Sequence, residues 1–327
     1  TNSQAILNSY SPWRPSASVT ESGMRITELE NSELTYEKKH EFNVGIDLGF
    51  LKNRLNLAAD YYRRNNFDLI GVINTQGAGG TIAKYANIAS MKSSGIELTI
   101  SSKNMRTKDF SWNTDFIFSK TKNEITDLKS HANVLSLISG NGFGREGYPV
   151  RGLFSIPFAG LTEDGLPTFI NQDGQKTISS FNFQEYEKLD FLKYEGPTDP
   201  TITGSFGNIL TYKNLKLNVF VTYSFGNVIR LDPVFSNAYS DLDAMPKEFK
   251  NRWMKAGDEN VTNIPTIVST RMNQQYAYLN MAYNAYNYSD VRIADGGFIR
   301  LKEISLSYDL PAKVINFFRL NKLQLKL

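Results

Sequence analysis

The 327-residue chain has no cysteine, which excludes disulfides and thiolate chemistry. That absence suits a periplasm-facing or outer-membrane protein without requiring one. Its only two histidines, His40 and His131, stand far apart and form no H-x-x-x-H pair, so no metal site is expected. Neither sign of charge dominates. Thirty-six Lys and Arg oppose 33 Asp and Glu, a formal charge of +3 that gives no electrostatic case for nucleic acid. No run reaches the roughly 20 apolar residues that a membrane helix needs. Helical spans are thereby excluded, but a transmembrane β-barrel is not, since each of its strands needs only about 10 residues and half can be polar. The start, at Thr1, has no basic stretch followed by an apolar one. An exported protein would therefore have lost its signal peptide, or the chain begins inside a longer polypeptide. Gly142, Gly144, Gly147 and Gly152 make no phosphate loop, and no nucleophile stands in readable spacing to a base, so neither an enzyme nor a cofactor is expected.

What is present is an alternation of apolar and polar residues that returns along the chain. Phe42, Val44, Ile46, Leu48 and Phe50 share one parity, with Glu41, Asn43, Gly45, Asp47 and Gly49 between them. After a break at Lys52 and Asn53, Leu55, Leu57, Ala59 and Tyr61 repeat it against Arg54, Asn56, Asp60 and Tyr62. A period of two means strands with one apolar and one polar face. The pattern predicts four hairpins, at about 40–50/54–64, 94–103/109–120, 201–212/215–226 and 297–309/321–327. In the last, Arg300 and Lys302 share the parity of Ile304, Leu306 and Tyr308, which suggests a bulge or the end of the membrane band.

Short turns alternate with long connections at 65–90, 121–199 and 227–296, and residues 1–35 read as irregular. Outer-membrane barrels place short turns on the periplasmic side and long loops outside, whereas loops of a soluble sandwich vary without regard to side. The predicted fold class is therefore all-β, an antiparallel transmembrane barrel. Ten residues at about 3.3 Å each, tilted by about 45°, cover roughly 23 Å, close to the height of an apolar membrane band. Abundant aromatics, 17 Tyr and 21 Phe, suit interfacial girdles. The alternation is still running at Leu323, Leu325 and Leu327, so more strands are expected on both sides, the segment being part of a larger barrel.

Several passages in order resemble the SusC/RagA-like TonB-dependent transporters. They are Asn31 to Lys38 with Phe42 to Phe50 and Asp60-Tyr-Tyr62, then Ser94 to Glu97 and Glu146 to Pro149. Further on come Gly196 to Lys213, Arg252-Trp253 with Gly257-Asp258, and Ser289 to Pro311. A proline usual after the first Asn is Ser32 here. The resemblance implies a plugged barrel of about 22 strands in the outer membrane of a Gram-negative, Bacteroidota-type bacterium. It also implies a SusD-like surface lipoprotein as lid, the TonB-ExbB-ExbD complex as energy source, and an oligosaccharide or peptide as substrate. The plug and TonB-contact segment are not among these residues, so energised gating rests on the resemblance. From the residues themselves, a passive porin or adhesin-like barrel and a secreted soluble all-β carbohydrate-binding protein or glycosidase stay open.

The candidate site residues fall into two groups. Tyr276, Tyr278, Tyr283, Tyr286 and Tyr288 in the last long loop either face substrate or lid, offering flat faces and hydroxyls, or pack the loop on itself. Asp47, Asp60, Glu97 and Asp115, with Glu41 and Arg54, are expected to face a plug or a wet lumen, their mixed signs being unlike a selective pore. Asp164-Gly165 and Asp173-Gly174 read as turns rather than a calcium loop. Arg252 to Glu259 read as a short amphipathic helix ending at a glycine.

Overall fold

The computed structural model describes residues 6–11, 23–28, 31, 33–74, 83–140, 144–234, 246–276, 278–311 and 323–327. Where irregular chain is expected at the start, strands β1 (Ile6–Ser11) and β2 (Gly23–Glu28) pair antiparallel. Their shifted register needs no alternating face, so periodicity gives no sign of them.

Seven long strands and a short eighth then build one antiparallel sheet. They are β3 (Lys38–Phe50), β4 (Leu55–Asn74), β5 (Ala83–Arg106) and β6 (Phe110–Leu128). Beyond β7 (Gly152–Ser155), β8 (Phe158–Leu161), β9 (Pro167–Ile170), β10 (Lys176–Thr177) and β11 (Lys193–Pro197), the sheet resumes with β12 (Ile202–Tyr212) and β13 (Leu215–Phe225). After β14 (Val228–Arg230) and β15 (Ile293–Asp295) it ends with β16 (Phe298–Asp309) and β17 (Gln324–Lys326). The order is β17-β16-β13-β12-β6-β5-β4-β3, so each sheet strand lies beside its sequence neighbour in the sheet. No helix among the described residues is long and apolar enough to cross a membrane, which says nothing of strands.

The expected loop at 65–90 is corrected. β4 and β5 stay paired to Asn74 and Ala83, leaving only residues 75–82 between them. The ladder continues past the height where one face must be apolar. There, side chains such as Asn65, Asn66, Lys84 and Asn87 lose the alternation while the backbone bonds persist. Residues 312–322, within the last expected hairpin, lie outside the described residues.

Register fixes the faces, because directly paired residues point the same way. One face carries Phe42, Val44, Ile46 and Leu48, then Leu57, Leu98, Phe116, Phe206, Leu217 and Leu306. No second layer covers it among the described residues: Phe42 is 63% exposed, Ile96 50% and Ile304 60%. The parity break at Arg300 and Lys302 is a bulge, since Phe220 pairs Glu303 while Val221 pairs Leu301. Lys302 is the extra residue. It returns Glu303, Ser305 and Ser307 to the polar face and keeps Ile299, Leu301 and Ile304 on the apolar one. On the polar face the Tyr62 ring lies over Gly95, whose missing side chain leaves that room, and the Arg64 guanidinium sits 4.2 Å above the ring.

Candidate functional site

The buried core of the molecule lies outside the sheet, in the two long connections. The first contributes Val134, Leu137, Phe154 and Phe169, the second Phe249, Leu279, Ala282 and Tyr286, to one apolar cluster. Helix α1 (Val134–Ser139) starts at Asn133, whose side chain accepts from the Ser136 amide, and ends at Gly140 in the left-handed region. Helices α2 (Thr270–Gln275) and α3 (Leu279–Asn287) come from the second connection. All of this sits at the end of the sheet where β6, β12, β13 and β16 meet their long connections. The turns at 51–54, 107–109 and 213–214 lie at the other end. The result is a folded cap.

Two arginines fasten it. Arg230 donates to the carbonyls of Ser289, Ile138 and Phe154 at 3.3, 3.2 and 2.6 Å, and lies over the Tyr288 ring at 5.4 Å. Burial lowers its pKa to about 10, so it remains charged at neutral pH. Arg292, 2% exposed, pairs with Glu248 at 2.6 Å and donates to the Asp232 carbonyl. Arg230 does not announce itself in the sequence, and Arg292 stands within the Ser289 to Pro311 passage without any sign of its partners. A lone arginine in a polar loop has no period, and its partners are main-chain carbonyls or a carboxylate 44 residues away.

Of the five tyrosines, Tyr286 and Tyr283 are core residues at 1% and 8% exposure. For these two, the expectation of a ring facing substrate or lid is corrected: large loops need a core of their own, and these rings fill it. Tyr288 is half-buried beside Arg230. Tyr276 donates its hydroxyl to Asp164 at 3.0 Å, and Tyr278 is 74% exposed with φ 64° just before α3. Tyr276 and Tyr278 line a concavity of about 580 Å³ with Thr162, Thr168, Lys176 and Gln275.

Burial raises the Tyr286 phenol to about 12, with the charge and hydrogen bond of Arg292 pulling the other way. An unfolded tyrosine ionises near 10. The folded cap therefore keeps a proton that the unfolded chain loses, and this contribution to stability is complete below pH 10 and drains away as pH rises through 12. Alkaline titration followed by phenolate absorbance and by amide exchange should show the cap opening in that window. Tyr286→Phe should remove this component.

The four carboxylates share the polar face. Asp60 pairs directly with Glu97, an arrangement of like charges that is unfavourable unless something else meets them. No ion pair reaches Asp47, Asp60 or Glu97 among the described residues, and Asp115 accepts from Ser101 at 2.7 Å. Glu41 is held by Lys39 and Arg64 at 2.6 and 2.9 Å. Arg54 is not on the wall. It sits in the turn and donates to the carbonyls of Lys103 and Asn104.

Asp164-Gly165 and Asp173-Gly174 are turns, with both glycines at positive φ. The expected helix over Arg252 to Glu259 is corrected to two 3-10 segments, Lys247–Asn251 and Asp258–Asn260. Gly257, at φ 100°, opens the second rather than closing a helix. Trp253 instead lies against Gly165 and donates to Glu259 at 3.1 Å. No cluster of three metal-ligating side chains occurs among the described residues.

Known proteins carry the same pattern. A family described as "TonB dependent receptor-like, beta-barrel" matches residues 5–245. TonB-dependent receptor P3 of Formosa agariphila is 25% identical over 88% of this chain, which spans 29% of that receptor. TonB-dependent receptor SusC of Bacteroides thetaiotaomicron is 28% identical over 65% of the chain and 23% of its own length. A solved structure of the RagAB peptide transporter aligns with 99% of the chain and 34% of its own, at a TM-score of 0.74 and 23% identity. The chain thus spans less than a third of these curated relatives. Barrels of this family lie in the outer membrane of Gram-negative bacteria, and the family is one of transporters rather than enzymes. With its open eight-stranded sheet, apolar on one face and capped at one end, the chain is part of a barrel and belongs to the TonB dependent receptor-like β-barrel family.

Proposed function

We infer that these residues form wall strands and outer loops of a TonB-dependent importer. It takes a large nutrient, an oligosaccharide or a peptide, across the outer membrane of a Bacteroidota-type bacterium. A SusD-like lipoprotein closes the outer mouth, and the TonB-ExbB-ExbD complex acts through a plug carried elsewhere in the protein. The observation that carries this reading is the apolar face running across the sheet, uncovered among the described residues and joined to a folded cap at one end. A wall of that kind has lipid on one side and an enclosed interior on the other. The relatives' organisms, Formosa and Bacteroides, support the assignment of source.

Within this reading Asp47, Asp60, Glu97 and Asp115 face the interior, where donors of the plug relieve the Asp60–Glu97 repulsion. The exposed ring of Tyr278, beside Tyr276, meets substrate or lid. The test is uptake of fluorescent oligosaccharides and peptides by cells carrying the full-length protein. Uptake should stop when TonB is removed, whereas a passive porin would keep it. Tyr278→Ala should weaken substrate or lid binding roughly 2- to 10-fold, as loss of one aromatic contact does, and Tyr288→Phe should leave it unchanged. Unaltered binding in the Tyr278 variant would place recognition elsewhere.

A further inference from the structure

The apolar face changes character at one height. On β4 the outward row Leu55, Leu57, Ala59, Tyr61 is followed by Arg63, and on β5 Ile100, Leu98, Ile96 by Ser94 and Lys92. On β6 Phe116 and Phe118 are followed by Lys120 and Lys122. The pairing puts Tyr61, Ile96 and Lys120 in one row, Arg63, Ser94 and Lys122 in the next, and Asn65, Lys92 and Glu124 above. Arg63 and Lys122 are thus two strand spacings apart, about 10 Å, with Lys120 about 7 Å lower. All four cations are exposed.

One carboxylate answers them. Glu124 takes Lys92 at 2.7 Å and Lys122 at 3.9 Å, leaving three positive charges in excess over these rows. Asp127 lies a further row up, away from the apolar band. Among the described residues Arg63 and Lys120 have no acidic partner. A groove of about 230 Å³ runs between Tyr61, Arg63, Lys92, Ser94, Lys122 and Glu124.

We propose that this groove binds the phosphate of an anionic lipid headgroup in the outer leaflet. The lipid's acyl chains would lie on Tyr61, Ile96 and Phe118 directly below. The inference rests on the membrane-wall reading and on the capped end facing out. Charge complementarity selects the anion, and continuity with the apolar band selects a lipid over a free ion. Arg63 is eight residues above Leu55, about 27 Å along the strand and about 20 Å in height once tilted. That is near the upper edge of an apolar band about 25 Å tall, from which long basic side chains reach the headgroups. Lys and Arg near such a surface each add to anionic lipid binding, and guanidinium and ammonium groups form charge-assisted bonds to phosphate oxygens.

The test is native mass spectrometry of the delipidated full-length protein in detergent, titrated with lipid A, dephosphorylated lipid A and inorganic phosphate. The wild type should prefer lipid A over its dephosphorylated form. The triple variant Arg63→Gln, Lys120→Gln, Lys122→Gln should lose about 10- to 100-fold in that affinity. Removing the same number of charges at the opposite end, with Lys52→Gln, Lys108→Gln and Lys213→Gln, should lose none. Equal binding of the two lipids, equal loss in both triple variants, or competition by inorganic phosphate at lipid-like concentrations would overturn the proposal. Failure of the underlying wall reading would look different: the protein would stay soluble without detergent and retain no lipid of either kind.

Discussion

Leu98→Arg should destabilise the membrane-inserted barrel by about 2–4 kcal/mol, while Thr99→Arg, one residue along the same strand, should cost little. Leu98 lies in the outward row Ala59–Leu98–Phe118, in the middle of the apolar band. A guanidinium there has only acyl chains around it and must bend toward a distant headgroup. Thr99 points to the other face, in the row Asp47–Ala58–Thr99–Ile117, with Glu97 and Asp115 within one row. A cation at 99 meets carboxylates that no ion pair holds among the described residues. Denaturant unfolding in lipid vesicles, followed by tryptophan fluorescence, measures both. A larger cost at 99 would mean that the faces are assigned the wrong way round, and equal costs would mean that neither face is set apart by lipid.

The contrast between 98 and 99 is legible in the sequence, because period two survives wherever one face of a ladder must be apolar. β12 and β13 begin and end within a residue or so of the alternation's limits for that reason. Above the band both faces are wet, so the remaining half of β4 and the start of β5 carry no pattern, and their pairing is invisible without coordinates. The cap was least legible. Its core draws single residues from segments over 100 positions apart, such as Val134 and Tyr286, so no window of sequence contains it. The tyrosine-rich stretch marks a place where aromatics gather. It does not say that Tyr286 turns inward while Tyr278 turns out, since that depends on how α3 seats on β9.

The same limitation hides Glu248, whose removal should open the cap. Arg292 is almost wholly buried, and Glu248 supplies its only carboxylate among the described residues, at 2.6 Å. Its Nε has no partner, so the guanidinium is already incompletely satisfied. In Glu248→Ala the charge stays inside without its counterion; the Glu248 side chain is 38% exposed, so solvent reaches its place and the cost is about 1–3 kcal/mol, below that of a fully buried pair. The Asp232 carbonyl and the Tyr286 hydroxyl, the other partners of Arg292, are neutral and do not replace the lost carboxylate. Loss of Glu248 should therefore raise amide exchange and protease cleavage across 132–192 and 246–292, while the paired strands β12 and β13 keep their protection. The double variant Glu248→Ala, Arg292→Met separates charge from contact. Replacing both partners leaves no unpaired ion, so most of the lost protection should return. If the double variant is as open as the single one, the pair matters through the shape of Arg292 rather than through its charge, and the cap is held by packing alone.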